Sequence, residues 1–259
     1  MSYIEISHAT KTFKTQDSVF TAFEDISISI EKGEFICVLG PSGCGKSTLL
    51  NALAGFSPVT SGSVKIDGVE VVAPSTKYVT IFQNYGLLPW RNVQKNVELG
   101  LEQKKLPKAE RQEIAAKYVD LVGLSKFAKS YPRQLSGGMQ QRVSIARALA
   151  VDPDVVFMDE PFGALDAITR MKLQDDVLKL SQEEAKTVFF VTHDIAEAVY
   201  LADRIVILSP NPGRLKCVVN VPSRRDFRDR TSDDFIAVQN KVLELFNMKP
   251  QRETIEYYI

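Results

Sequence analysis

The sequence predicts an α/β fold, a parallel sheet whose strands alternate with helices, with a further helical region inserted part-way along the chain. Three observations point there. Continuous apolar runs at 35–39, 155–158, 188–191 and 205–208 read as strands buried on both faces. Polar amphipathic stretches separate the later runs, the alternation that a parallel sheet requires. A glycine-rich turn follows the first run directly and leads into a helical pattern.

Residues 3–39 read as short strands ending in Phe35-Ile36-Cys37-Val38-Leu39, which Lys32-Gly33-Glu34 introduces. After the glycine-rich turn, Leu49, Leu50, Leu53 and Ala54 recur at helical spacing as far as Gly55, where a C-terminal glycine cap belongs. From Pro107 to Val122 the stretch PKAERQEIAAKYVDLV keeps Ile114, Tyr118, Leu121 and Val122 on one helical face. The middle third is therefore mostly helical. Beyond Ser223, charged clusters surround a helix-like stretch near Phe235 to Phe246 and carry no further signal. No internal repeat, low-complexity linker or charge block interrupts the chain.

The 259 residues suffice for one large domain, or for one with an inserted subdomain. Thirty-two basic residues balance 32 acidic ones, so charge points to neither nucleic acid nor an anionic membrane surface. Cys37, Cys44 and Cys217 are odd in number and share no metal-type spacing, as expected of unbridged thiols in a reducing cytoplasm. The N-terminus lacks the apolar core of a signal peptide, and no run of about 18 apolar residues occurs. The chain is expected neither to span a membrane nor to be exported.

The glycine-rich turn, Gly40-Pro41-Ser42-Gly43-Cys44-Gly45-Lys46-Ser47, matches GxxxxGK[ST] and sits between a buried strand and a helix, the context that gives this motif its meaning. Glycines let consecutive amides curl round phosphate oxygens, and the start of the next helix, through Thr48, adds positive potential. Lys46 is placed to reach the β- and γ-phosphates of a nucleoside triphosphate. Ser47 offers a hydroxyl to Mg²⁺, a metal that usually keeps substrate phosphates and waters rather than a full protein cage. A second signal is Val155 to Glu160, where two carboxylates end an apolar strand, the place a parallel sheet collects ligands. Asp159 would hold Mg²⁺ through water, and Glu160 would polarise the water that attacks the γ-phosphate.

Between these lies LSGGMQQR, Leu135 to Arg142, which resembles the LSGGQ segment of the ABC-type ATPases, with Met139 where the family most often has Gln. The resemblance covers roughly residues 3–215. It implies a P-loop NTPase fold: a RecA-like core with an N-terminal antiparallel β-subdomain, plus an inserted helical subdomain. The implied division is a nucleotide-binding core at 1–85 and 155–222, a helical subdomain at 86–154 and a C-terminal tail at 223–259. It further implies a head-to-tail dimer in which Ser136, Gly137 and Gly138 of one copy close over the triphosphate on the other. By the same resemblance, Gln83 would contact Mg²⁺ and the attacking water, Asp166 of Ala164-Leu165-Asp166 would lie on the dimer seam, and His193 would sense the γ-phosphate. An aromatic residue upstream of the cradle usually stacks on adenine in this family. Phe13 occupies the corresponding place and Phe20 is its rival, with core packing as the alternative for either.

Two finer matches, GLLPWRNV at Gly86 to Val93 and SPNPGRL at Ser209 to Leu215, resemble cassettes of the taurine, alkanesulfonate and nitrate importers. In such importers the first stretch forms part of the groove for a permease helix, and Leu87, Leu88, Pro89 and Trp90 make it apolar, as contact centres are. The expectation is an ATP- and Mg²⁺-dependent ATPase at the cytoplasmic face of the cell membrane. Its partners would be a second copy, an integral-membrane permease and, indirectly, an external substrate-binding protein. The competing reading, a nucleic-acid-linked ABC ATPase, requires a long coiled coil or two cassettes per chain, and neither is present. A P-loop small-molecule kinase leaves LSGGMQQR unexplained.

Overall fold

The computed structural model describes residues 2–15, 18–221, 229–247 and 255–258. Contacts divide the chain into two compact units, Met1–Ser75 with Glu184–Ile259, and Thr76–Glu183.

In the first unit, β1 (Ile4–Lys14) and β2 (Val19–Ile30) pair antiparallel, with Ile4 opposite Ile30 and Phe13 opposite Phe20. Along β2, buried Ile26, Ile28 and Ile30 alternate with exposed Asp25, Ser27 and Ser29, the period-2 pattern of a sheet covered on one face. β4 (Ser61–Ile66) adds to β1, and β5 (Val69–Glu70) adds to β4, both antiparallel.

β3 (Phe35–Leu39) has no accessible surface at any of its five residues, as its unbroken apolar run predicts. It lies between two parallel neighbours, β8 (Thr187–Val191) and β9 (Arg204–Leu208). The Phe35 and Phe190 rings meet at 5.9 Å between centroids. α1 (Lys46–Leu53) packs Leu49, Leu50 and Leu53 into the core. It ends as the sequence predicts: Gly55 adopts φ 81°, its amide bonds to the Ala52 carbonyl, and the Phe56 amide returns to Asn51, the pair of bonds of a Schellman cap.

Beyond Ser223 the described residues include a helix and a strand. β10 (Leu215–Asn220) runs antiparallel to β9, and β11 (Ile255–Tyr258) runs parallel to β10. α7 (Asp233–Asn247) brackets the helix-like stretch, buries Phe235, Val238, Val242 and Leu245, and packs on α6 (Ile195–Leu201). Lys216 ties the tail back by donating to the Phe246 carbonyl at 2.8 Å.

The second unit pairs β6 (Tyr78–Ile81) parallel to β7 (Val155–Asp159), with Tyr78 edge-on to Phe157. Its helices are α2 (Val93–Leu101), α3 (Lys108–Leu121), α4 (Gly137–Ala150) and α5 (Ala167–Glu183). The buried stripe of α3 is Ala115, Tyr118 and Val119, continued by Val122, while Ile114 and Leu121 are only half-buried at its edges. The face predicted from the sequence is thus rotated slightly. α2 and α4 approach so closely that a Cβ on Gly100 would stand 2.2 Å from Val151 Cγ1. Among the described residues no helix is long and apolar enough to cross a membrane.

Because Phe190 is fully buried and its ring meets that of Phe35, Phe190→Ala should cost about 3–5 kcal/mol. Urea titration would check this, and a loss below about 1 kcal/mol would contradict the packing described.

Candidate active site

The glycine-rich loop, Gly40 to Gly45, runs from the buried end of β3 into α1. Gly43 adopts φ 80°, and a Cβ built there would meet nothing within 4 Å, so the loop opens onto space at that point. Elsewhere its glycines are demanded by close approach. A Cβ on Gly40 would lie 2.4 Å from Cys44 Sγ, and one on Gly45 would lie 2.6 Å from the Ala22 carbonyl oxygen of β2. No side chain caps α1, whose N-terminal residue in sequence is Lys46 itself.

Lys46 is 8% exposed, and its ammonium donates to the carbonyls of Gly40 at 2.7 Å and Pro41 at 3.1 Å. A buried cation held by its own loop's carbonyls, at the uncapped start of a helix and beside an open glycine, is a donor set suited to a polyphosphate. Ser47, Ser42 and Gly43 are exposed and Thr48 is half-buried at the same end. Cys44 faces inward, and burial raises its thiol pKa, an effect the nearby Lys46 charge only partly offsets. Its position in the motif is therefore a packing position.

What supports this loop from below lies far from it in sequence. Gly213, in the turn between β9 and β10, accepts from the Glu24 amide at 2.8 Å and donates to the Ala22 carbonyl at 3.0 Å. A Cβ on Gly213 would stand 2.0 Å from the Cys44 carbonyl oxygen. Arg214 adds an ion pair to Glu24 at 2.7 Å. The SPNPGRL stretch therefore braces β2 and the phosphate loop together, and glycine is the only residue that fits between them.

Phe13 and Phe20 are cross-strand partners, and they are 41% and 52% exposed. Core packing, the alternative for either ring, is ruled out. Lys11 sits over the Phe13 ring with its ammonium 5.1 Å from the centroid. His193 is exposed in the turn from β8 to α6. The turn is held beneath it: the buried Thr192 hydroxyl donates to Glu197 at 2.7 Å and accepts from the Asp194 amide at 3.0 Å, and Asp194 caps α6 through Ala196 and Glu197.

In the second unit, Asp159 ends β7 half-buried, and Glu160 follows it at φ 47°. That left-handed backbone is unfavourable for a residue with a Cβ, and such strain gathers at functional positions. Gln83 is exposed two residues beyond β6, which stops at Ile81. The LSGGM segment opens α4 as an N-cap, with the Ser136 hydroxyl accepting from the Met139 amide at 3.3 Å and Gly137 and Gly138 forming the first helical residues. Asp166 precedes α5 and accepts from the Thr169 amide at 3.0 Å, a bond that holds its carboxyl below the usual carboxylate range. Leu87 and Leu88 are half-buried, whereas Trp90 is 71% exposed. Among the described residues no cluster of three or more His, Cys, Asp or Glu side chains is gathered for a metal.

A phosphate cradle after one buried strand and a strained carboxylate after another define a P-loop nucleoside triphosphatase. The family model for ABC transporters matches residues 23–163. An uncharacterised ABC transporter ATP-binding protein of Methanocaldococcus jannaschii is 51% identical over 93% of this chain and 90% of its own length. The taurine import ATP-binding protein of Escherichia coli is 54% identical over 75% of this chain and 76% of its own. For the nitrate import ATP-binding protein of Synechococcus elongatus the values are 48%, 78% and 74%. Among solved structures, a dimeric bacterial ABC transporter cassette superposes with a TM-score of 0.79 at 36% identity, over 85% of this chain and 99% of its own. A dimeric ATP-binding cassette in a post-hydrolysis state, bound to ADP and Pi, gives 0.79 at 35%. The chain belongs to the ABC transporter family and is an ATPase cassette within it.

Two outcomes test the cradle. Gly213→Ala, remote in sequence from the motif, should weaken ATP binding at least about tenfold, the equivalent of roughly 1.4 kcal/mol, by pushing on the Cys44 carbonyl. Isothermal titration would show it, and unchanged affinity would mean the brace is dispensable. Cys44 should react slowly with a thiol reagent at pH 8, because its thiolate forms only above the ordinary thiol range, and unfolding in urea should abolish that protection.

Proposed function

We propose that the chain is the ATP-hydrolysing subunit of an importer, peripheral to the cytoplasmic face of the cell membrane, which energises uptake of a small anion of the taurine, alkanesulfonate or nitrate type through a separate permease. The observation that carries the nucleotide reading is Lys46, buried at the foot of an open glycine cradle and bonded to that loop's own carbonyls. Its likeness to taurine and nitrate import proteins supports the transport reading.

Each residue then has a task. Lys46 exchanges its carbonyl partners for β- and γ-phosphate oxygens, while the loop amides and the uncapped start of α1 add donors to the same anion. Phe13, or Phe20 across from it, stacks on adenine. Mg²⁺, when bound through Ser47, Gln83 and water on Asp159, offsets phosphate charge. Glu160 accepts a proton from the attacking water, for which its carboxylate must be ionised, and Gln83 orients that water. His193 donates to the γ-phosphate, its position set by the Thr192–Glu197 bond and the Asp194 cap beneath it.

The LSGGM segment offers a second set of amide donors at the start of a helix, on a chain whose own cradle already serves one triphosphate. It serves a second copy: Ser136, Gly137 and Gly138 close over the nucleotide held by the partner, with Asp166 at the seam. That two similar cassettes form dimers supports the pairing of copies. The exposed Trp90, with Leu87, Leu88 and Pro89, is the docking patch for the permease, since a desolvated aromatic anchor supplies much of a contact's energy.

Glu160→Gln should lower turnover on the order of 10²-fold or more while ATP binding persists and an ATP-dependent dimer accumulates on size-exclusion chromatography. Full ATPase activity in that variant would sink the general-base assignment. Trp90→Ala should reduce co-purification with a permease of this importer class co-expressed with the chain; undiminished recovery would move the docking patch elsewhere.

A further inference from the structure

The segment between Gln83 and α2 has little regular structure, yet three residues of the second unit fasten it. Arg147, on the last turn of α4, donates from Nη1 to the Gly86 carbonyl at 2.7 Å and from Nη2 to the Tyr85 carbonyl at 3.0 Å. At the opposite end of α4, the Tyr85 hydroxyl lies so close to the first residue that a Cβ on Gly137 would be 2.8 Å away. Asn96 of α2 has no exposed surface. Its Oδ1 accepts from the Leu88 amide at 2.8 Å, and its Nδ2 donates to the carbonyls of Leu88, Arg91 and Asn92 at 3.2, 2.9 and 3.1 Å. Trp90 projects from the turn that Asn96 closes.

Such fastening has a consequence for motion. A slack loop absorbs displacement at one end, whereas a planar guanidinium gripping two consecutive carbonyls by charge-assisted bonds fixes both their direction and their separation. Tyr85 against Gly137 and Arg147 near the far end of the same helix tie the 85–86 segment to α4 at two points. Asn96 makes the 88–92 turn rigid in its turn. None of these groups belongs to the phosphate cradle or the carboxylate pair.

We propose that Arg147 is a positioning residue that couples the LSGGM helix to Trp90: nucleotide closing on Ser136–Gly138 displaces α4, and the Arg147 fork carries that displacement through Tyr85 and Gly86 to the exposed turn. The proposal rests on the reading that a partner's ATP engages Ser136–Gly138, and it adds the route by which that engagement reaches the docking patch. Arg147→Lys, with one ammonium in place of the fork, holds one carbonyl but not both.

Trp90 is the single tryptophan of the chain, so intrinsic emission reports that turn directly. The full chain carrying Glu160→Gln, which retains ATP, is titrated with ATP and Mg²⁺, with a fluorescent ATP analogue measuring binding separately. The expected result is an ATP-induced emission change that Arg147→Met largely loses at unchanged nucleotide affinity, and that Arg147→Lys partly restores. Should the Met variant fail to fold, the Lys variant carries the test, with a reduced change expected. An undiminished change in the Met or Lys variant overturns the proposal, and so does a parent that binds ATP with no change at Trp90. A parent that binds no ATP overturns the nucleotide reading itself, and the proposal with it.

Discussion

The approach of main chain to main chain beneath the phosphate loop is the constraint on which the nucleotide half depends. Gly45 sits against the Ala22 carbonyl and Gly213 against the Cys44 carbonyl, each at a distance no side chain tolerates. Two glycines thus let a strand of the antiparallel sheet, the phosphate loop and the β9–β10 turn stack within van der Waals reach of one another. A loop outside any helix or strand ladder has few backbone hydrogen bonds of its own to hold it. Its shape must come from what it rests on, and here it rests on backbone, which cannot rotate away as a side chain can.

The second unit solves a different problem. Its α4 begins with two glycines, which favour an accessible run of amides and disfavour a stable helix start. The Ser136 cap and the tight α2–α4 contact at Gly100 offset that cost. The irregular stretch after Gln83 poses the complementary difficulty, since its carbonyls and amides lie outside any ladder. Buried Asn96 and half-buried Arg147 satisfy them, using side chains whose several donors suit converging carbonyls. Order in this loop is therefore bought by polar groups, and that is what allows a large apolar side chain to stand exposed at its tip.

Much of the fold was legible because the signals were local. Phe35–Leu39 is apolar at every position, and a strand covered on both faces can read no other way. The Gly55 cap followed from the point where the leucine spacing of α1 stops. The phosphate loop was legible for the same reason, its chemistry lying within eight consecutive residues. The buried stripe of α3 was only partly right, because spacing alone cannot tell whether Ile114 or Ala115 faces a neighbouring helix.

Sequence by itself thus determined which elements form and which short segments carry phosphate chemistry, since both depend on side-chain period and on neighbours a few bonds away. Tertiary structure decided the rest. It showed that both Phe13 and Phe20 are exposed, that β11 and α7 give the tail a structured place, that Gly213 braces a loop far from it in the chain, and that Arg147 grips the segment leading to Trp90. The tail's placement, the Gly213 brace and the Arg147 grip each rest on a contact between residues distant in sequence. A glycine, an arginine or an aromatic ring carries no mark of such a partner until folding brings the two together.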